Sequence, residues 1–506
     1  MNINPLIFRA YDIRGIAAPR DNKPADLTPE TAYLIGRATG IYLKKKYETK
    51  TMAVGCDNRL TGESLKKGYM RGLIDSGIRP TDIGLVTSPM VYWTTCAKAS
   101  GNSALPFDSA TNITASHNPK EYNGLKIVTK SAHSICGDEL QEILKIIEKN
   151  SPSEDTVRAR TSEASGSATA ERSEPKNQDI WPKYLADILA RTKLLQSTIS
   201  NTSIPSNPPP STHLKVIVDC GNGVAGKFAP ELLRKLGCEV IELFCNLDGN
   251  FPNHEANPEE LHNMQDLIKK VLENKADLGL GFDGDGDRVG VVDEKGHHYS
   301  ADFILLLLAR DLLTRLPNSQ IVFDIKVSQT IINDLKKHGA IPVMSKTGHS
   351  FIEAKMKEIG APLAGEVSGH LFFAENYYGF DDALFAAARI LEIASHSQKP
   401  FSELFTDLPK TCTTPEFKAH CPDDRKFAIV KELVAHFTKI YDCITIDGVR
   451  VNFDENSWGA IRASNTGPNL TLRFEALTPE RLQEIQKIMV TELKKYPEIS
   501  LDWYKE

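Results

Sequence analysis

The chain runs to 506 residues, room for about three or four domains of ordinary size. A formal net charge of −6, with 41% hydrophobic and 25% charged residues, suits a globular chain and argues against a general nucleic-acid binder. The densest apolar run, Phe303 to Ala309, is too short to span a bilayer, Met1 to Arg9 holds no signal-peptide core, and nine cysteines form no C-x-x-C pair, so a reduced, cytoplasmic chain without membrane contact is expected.

Phe8 to Gly15 opens the chain and carries Arg9 and Arg14. A pattern then begins that occurs three times: an apolar strand ending in aspartate, a helix, a glycine and a second strand. Its first copy is Met52 to Asp57, a helix over Gly62 to Ser76, Gly77, and Asp82 to Val86. After a strand signature ending at Thr111 to Thr114 comes Ser116-His117-Asn118-Pro119, where Asn-Pro forces a turn. A second turn at Asn123-Gly124 leaves Ser116 on an exposed apex. That position suits a nucleophile or phosphate carrier, though the loop taken alone is the kind in which an ordinary turn serine is found. Lys126 follows and can return toward it.

Residues 151–179 are rich in Ser, Glu, Arg and Ala, with Val157 the one branched apolar residue, so a disordered insertion is expected. A helix is expected around Tyr184 to Leu195, then a proline-rich extended loop over Gln196 to Thr212. The second copy is Val216 to Asp219, a helix over Gly226 to Leu236, Gly237, and Glu239 to Leu243. The third is Ile321 to Asp324, a helix over Ser328 to His338, Gly339, and Ile341 to Met344. Glycine past each helix is a C-cap signal, and strand–helix–strand units of this length imply parallel strands. Three α/β domains of similar build are expected. The region from Thr414 differs: a donor-rich loop at Arg462 to Gly467, a strand over Leu470 to Glu475, and a helix over Pro479 to Leu493.

The sharpest motif is Asp283-Gly284-Asp285-Gly286-Asp287-Arg288, set between the strand-like runs Ala276 to Phe282 and Val289 to Val292. The triplet therefore sits on a tight loop at the edge of a sheet. Crowded carboxylates repel, and all-oxygen ligation suits a hard cation such as Mg²⁺ or Ca²⁺. An EF-hand is excluded, because Arg288 stands where the loop needs glycine and the flanks are not helical. Arg288 itself points to a second anion, with guanidinium geometry suited to phosphate. Gly365-Glu366-Val367-Ser368-Gly369-His370 alternates groups able to bind sugar hydroxyls. Lys326 and His349 lie at strand ends, where ligands bind in α/β sheets.

These loops, in this order, resemble the α-D-phosphohexomutases, in particular bacterial phosphomannomutase/phosphoglucomutase members, from Phe8 to about Lys495. The resemblance implies an α/β fold with three similar α/β domains around a central cleft and a smaller C-terminal α+β domain. The expected boundaries are 1–180, 181–300, 301–413 and 414–506. It implies a phosphohexomutase that interconverts hexose 6-phosphate and hexose 1-phosphate, of mannose or glucose, through a phosphoserine and a hexose 1,6-bisphosphate. Ser116 resembles the phosphoryl carrier, and Asp283, Asp285 and Asp287 the Mg²⁺ ligands, with a phosphoserine oxygen completing the site. Arg288 resembles the contact to the transferring phosphate; Lys126, His370 and Arg14 resemble proton-transfer and positioning groups. Glu366 and Ser368 resemble the pair that reads the sugar O3 and O4. Arg462, Ser464, Asn465 and Thr466 resemble the clamp on the non-reacting phosphate, and Tyr11, Lys326 and His349 further substrate contacts. Val367 stands where methionine is usual, and Gly467 where threonine is common. The implied partners are hexose phosphates and the bisphosphate activator, and a monomer is expected. A glucosamine-phosphate mutase is the alternative enzyme, disfavoured by Glu366-Val367-Ser368; a non-catalytic metal-dependent binding protein is the alternative of another class.

Overall fold

The computed structural model describes residues 3–20, 24–96, 105–150, 152–161, 176–192, 214–464 and 467–504. Its chain forms two compact units, Met1–Ala301 with Ser368–Ser402, and Asp302–Val367 with Glu403–Glu506.

The first unit is built on two sheets. In the first, the strands run in the order Ile13–Ile16, Tyr122–Thr129, Ser109–Ile113, Thr51–Cys56, Arg79–Leu85, Lys176–Asn177. Thr51–Cys56 is parallel to both Arg79–Leu85 and Ser109–Ile113, and the helix Gly62–Asp75 makes the crossover, as the first repeat predicts. The second sheet has the order His298–Tyr299, Val289–Asp293, Leu278–Phe282, Lys215–Asp219, Glu239–Leu243. Here Lys215–Asp219 is parallel to both its neighbours, while Leu278–Phe282 turns back antiparallel into Val289–Asp293. That hairpin lies inside the sheet, so the acidic loop occupies the strand-end edge. The second repeat's helix is split into a 3-10 turn, Val224–Lys227, and an α-helix, Ala229–Lys235, because Pro230 can begin a helix but not continue one.

In the second unit Gln320–Asp324 is parallel to Ile341–Ser345 and to Leu363–Gly365, with the helix Gln329–Lys337 between the first two. The C-terminal sheet runs Cys412–Thr413, Asn469–Ala476, Trp458–Ala463, Val449–Asn452, Asp442–Ile444, with Phe417–His420 also paired to Asn469–Ala476. Its pairings are antiparallel. The helices Lys426–Phe437 and Pro479–Leu493 bury Ile429, Leu433, Phe437, Ile485, Met489 and Leu493 in a common core with the sheet. The α+β expectation for this region therefore holds.

The insertion expected over 151–179 differs at its two ends. Glu154–Thr161 is a helix, and its Val157 is fully buried in the first domain's core. Lys176–Asn177 extends the first sheet beside Arg79–Leu85. A single apolar residue is enough to anchor a helix this short on a core that already exists. Residues 162–175 lie outside the described residues, as does the proline-rich stretch 196–212. The helix expected around Tyr184 to Leu195 spans Trp181–Arg191, with Pro182 in its first turn.

The helices Pro29–Tyr47 and Gly62–Asp75 pack backbone to backbone. Thr28 caps the first with a reciprocal Thr28–Thr31 box. A Cβ on Gly36 would lie 2.2 Å from the Tyr69 carbonyl oxygen, and one on Gly72 2.1 Å from that of Tyr33. Glycine is present there to let two helices touch, at a cost in intrinsic helix propensity of about 1 kcal/mol each. Gly72→Ala should therefore destabilise the chain, by about 1 to 3 kcal/mol, despite alanine's better propensity. Urea melts of the two proteins check the sign; a more stable alanine variant would refute the close approach.

Candidate active site

The acidic loop is shaped by its first carboxylate. Backbone N–H groups of Asp287 and Arg288 both donate to Asp283 Oδ1, at 3.1 Å. Gly286 takes the left-handed turn, with φ +72°. The three carboxylates lie within 4.8 Å of one another and are fully buried.

Ser116 comes to this loop from the neighbouring sheet. It follows Ser109–Ile113, and its Oγ donates to Asp283 Oδ2 at 2.7 Å. Arg288 reaches the same Oγ at 3.4 Å and Asp283 Oδ2 at 3.4 Å. The sequence reading placed Ser116 on an exposed apex; it is 3% exposed. The acidic loop covers it, and a Cβ on Gly284 would lie 2.3 Å from the Ser116 carbonyl oxygen. Turn chemistry reveals the bend, but only tertiary packing sets what lies over it.

Lys126 Nζ donates to Asp285 Oδ2 at 2.7 Å and to Asp287 Oδ2 at 2.5 Å. Ser88 Oγ also donates to Asp285 Oδ2, at 2.6 Å. Of the other oxygens, Asp285 Oδ1 is buried without a hydrogen-bond partner, and Asp287 Oδ1, also buried, has only His370 Nε2 near it, at 3.5 Å and outside good hydrogen-bond geometry. Buried anionic oxygens without donors are costly, and a bound cation would satisfy them. The donor set is all oxygen, as a hard cation demands.

Burial and the adjacent Asp287 and Asp285 push the Asp283 carboxyl well above the usual carboxylate range. Burial acts on Asp287 the same way, but Lys126 and His370 outweigh it and hold that carboxyl well below the range. Lys126 is desolvated too, yet Asp285 and Asp287 raise it well above its ordinary value and keep it charged.

His370 Nε2 stands 3.5 Å from Asp287 and 3.7 Å from Asp381, while its Nδ1 meets Ser368 Oγ at 3.0 Å. Arg14 donates to Asn118 Oδ1 at 2.6 Å and to Asp12 Oδ2 at 2.5 Å, and so joins the serine loop. Half-buried Tyr11 lies close enough to act electrostatically on Arg14. Ser116, the three aspartates, Arg288, Lys126, Arg14, His370 and Ser368 thus belong to the first unit's constellation.

Glu366, Lys326, His349, Arg462 and Ser464 belong to the second unit. Glu366 accepts the Gly348 N–H at 2.5 Å, beside His349 at the start of the helix His349–Ile359. Arg462 Nε and the Thr347 N–H converge on Asp447 Oδ2, at 2.8 and 3.0 Å. Lys326 pairs with Glu416 and lies 3.8 Å from Asp324. The Ser464 N–H donates to the Asn469 carbonyl at 2.9 Å. Asn465 and Thr466 lie outside the described residues.

Sequence reasoning missed Asp381, Asp12, Asp447 and Glu416. Each is a carboxylate facing a residue already singled out, and no local motif marks it. The one available signal was charge balance: buried cations such as Arg14 and Lys326 require anions nearby.

Comparison with known proteins places these loops in context. The chain matches the phosphoglucomutase/phosphomannomutase alpha/beta/alpha domain I over residues 5–154, domain II over 195–296, domain III over 300–412, and the C-terminal domain over 416–492. It is 42% identical over 490 residues to the phosphomannomutase/phosphoglucomutase of Pseudomonas aeruginosa, covering 96% of this chain and 95% of that one. It is 40% identical over 483 residues to the phosphoglucomutase of Neisseria gonorrhoeae, covering 95% of each chain. Among solved structures, a phosphoglucomutase/phosphomannomutase family protein from Burkholderia thailandensis superposes with a TM-score of 0.81 at 36% identity, over 98% of both chains. With all four domains matched in order and relatives similar along almost its whole length, the chain belongs to the phosphoglucomutase/phosphomannomutase family.

Proposed function

We propose that this chain is an intramolecular phosphotransferase that interconverts hexose 6-phosphate and hexose 1-phosphate, with mannose and glucose as its sugars. The observation that carries the reading is the contact of Ser116 Oγ with Asp283 and Arg288, beside the buried Asp285 Oδ1, which has no hydrogen-bond partner. The domains are read as 1–180, 181–300, 301–413 and 414–506. The nine cysteines are free thiols, which suits a cytoplasmic enzyme, and the chain is read as a monomer. Among the described residues no helix is long and apolar enough to cross a membrane.

In this reading Ser116 carries a phosphoryl group in the resting enzyme. The phosphoryl passes from Ser116 Oγ to the free hydroxyl of a hexose monophosphate and gives a 1,6-bisphosphate. The bisphosphate turns end for end, and its other phosphoryl returns to Ser116 Oγ. Arg288, 3.4 Å from Ser116 Oγ, would stabilise the charge that spreads over the transferring group. Asp283, Asp285 and Asp287 would hold Mg²⁺, with a phosphoserine oxygen, and the ion would supply charge neutralisation at the phosphoryl oxygens. Lys126 and His370 are the groups proposed to hold or exchange the sugar hydroxyl proton, and Arg14 orients the serine loop through Asn118. Glu366 with Ser368 reads O3 and O4, and Arg462, Ser464, Asn465 and Thr466 grip the non-reacting phosphate. Tyr11, Lys326 and His349 complete the substrate contacts. O3 and O4 can be presented to the same pair with either end of the sugar inward, which is what reorientation requires.

Three outcomes test this function. Intact-mass spectra should show a phosphoryl mass on the wild type that Ser116→Ala lacks, and the variant should lose turnover. An active wild type free of phosphate and indifferent to bisphosphate would refute the carrier.

The raised Asp283 carboxyl gives cation binding a pH dependence with a definite sign. Proton and cation compete for it, so Mg²⁺ affinity should rise with pH, and Asp283→Asn should abolish the dependence. Calorimetric titration of both proteins at two pH values decides the point; a pH-independent wild-type affinity would count against this ligand.

Glucose and mannose differ only at C2, and none of the proposed sugar contacts reads C2. Their kcat/KM values should then agree within about tenfold, or ~1.4 kcal/mol. Assays on both 1-phosphates check this, and a preference above about a thousandfold would require a group that reads C2.

A further inference from the structure

The strand Thr51–Cys56 ends in Asp57-Asn58-Arg59, which the proposed mechanism does not use. Arg59 is 3% exposed, and its guanidinium points into the serine loop. One terminal nitrogen donates to the carbonyls of Ser116 and Asn118, both at 2.6 Å. The other donates to the carbonyls of Pro119 at 2.8 Å and Tyr122 at 3.0 Å. Nε donates to Asp57 Oδ2 at 3.2 Å. A guanidinium has five N–H groups in a rigid fork, so this one is fully used.

Asp57 ties the other side of Ser116 to the same point. Its Oδ2 accepts from Thr114 Oγ1 at 2.7 Å, and Thr114 Oγ1 in turn accepts the Ser116 N–H at 2.9 Å. The Ser116 backbone is therefore gripped at its N–H through Thr114 and at its carbonyl by Arg59. It needs a grip, because its φ of +52° is a left-handed conformation that a serine rarely adopts unaided. The phenyl ring of Phe251 lies 5.2 Å from the guanidinium and covers it.

We propose that Arg59, oriented by Asp57, is a positioning residue for phosphoryl transfer: it holds the Ser116 loop so that Oγ faces Asp283 and Arg288 in both half-reactions. The inference rests on Ser116 being the phosphoryl carrier. Arg59 touches no reacting atom; it acts through four backbone carbonyls. A lysine would keep the charge and the burial but offers only three N–H donors to five acceptor contacts.

The test uses the full chain as wild type, Arg59→Lys and Asp57→Asn. Steady-state kinetics on glucose 1-phosphate with bisphosphate are normalised to the phosphorylated fraction of Ser116 read by intact mass. Melting temperature and hydrogen–deuterium exchange over residues 114–124 are read alongside. Arg59→Lys should lower kcat per phosphorylated serine by about tenfold or more, with KM within about threefold, since a displacement near 1 Å can cost ~10²-fold. Asp57→Asn should show a smaller loss of the same kind, and both should speed exchange in the loop. A lowered melting temperature with normal kcat per phosphorylated serine would mean that Arg59 only supports the fold, and would overturn the inference, as would a loss confined to KM. A wild type without turnover on hexose phosphates would refute the functional reading instead; loop exchange then judges the positioning, and unchanged exchange in Arg59→Lys overturns it.

Discussion

Three carboxylates buried within 4.8 Å of one another are a condition that the rest of the first unit is built to tolerate. Like charges at that spacing, out of water, repel by several kcal/mol per pair even at an effective dielectric of about 20. The fold answers in two ways. Lys126 and Arg288 bring positive charge against the three aspartates, and one carboxyl, Asp283, is pushed toward its neutral form. Both compensations are incomplete, because Asp285 Oδ1 has no hydrogen-bond partner and Asp287 Oδ1 has only His370 Nε2, at 3.5 Å. An all-oxygen cluster left in this condition suits a hard cation.

The same constraint explains why two sheets meet where they do. Ser116 and Lys126 belong to the first sheet and its loops, the aspartates to the second. Charge neutralisation across that junction requires the backbones to approach closely: the Ser88 N–H donates to the Asp285 carbonyl at 2.9 Å, and Gly284 lies against the Ser116 carbonyl with no room for a Cβ. A side chain at 284 would force the acidic loop and the Ser116 backbone apart. The glycines of the motif thus serve the interlock between domains as well as the turn.

The second unit solves a comparable problem with one buried arginine. Arg450 is fully buried over the Trp458 ring at 3.8 Å, and donates to the carbonyls of Ile325 and Val327, each at 2.7 Å. Burial pushes its pKa down to about 9, with Glu475 the chief opposing influence. Glu475 also accepts from the Trp458 indole at 3.1 Å and from the Gln329 backbone at 2.8 Å. The segment that carries Lys326 is in this way fastened to the C-terminal sheet, so the lysine's position depends on both.

The sequence by itself determined the three strand–helix–strand repeats, the elements that form them and the groups available in each loop, because these follow from periodicity, turn residues and local charge. The helix Pro479–Leu493 and the strand Glu239–Leu243 begin and end where their patterns do. The cluster of Asp283, Asp285 and Asp287 was legible because all three carboxylates lie in one hexapeptide. Tertiary structure alone decided what each loop faces. Ser116 is buried rather than exposed because a loop 167 residues away in sequence lies over it. Val157 anchors a helix in a stretch whose composition suggests none, because a core assembled from Pro29–Tyr47 and Gly62–Asp75 offers it a place. Asp447, Glu416 and Arg59 carry no local signature, since the partners Thr347, Lys326 and Ser116 that give them meaning are distant along the chain. Local patterns encode which groups are available; the long-range burial of charge selects which of them meet.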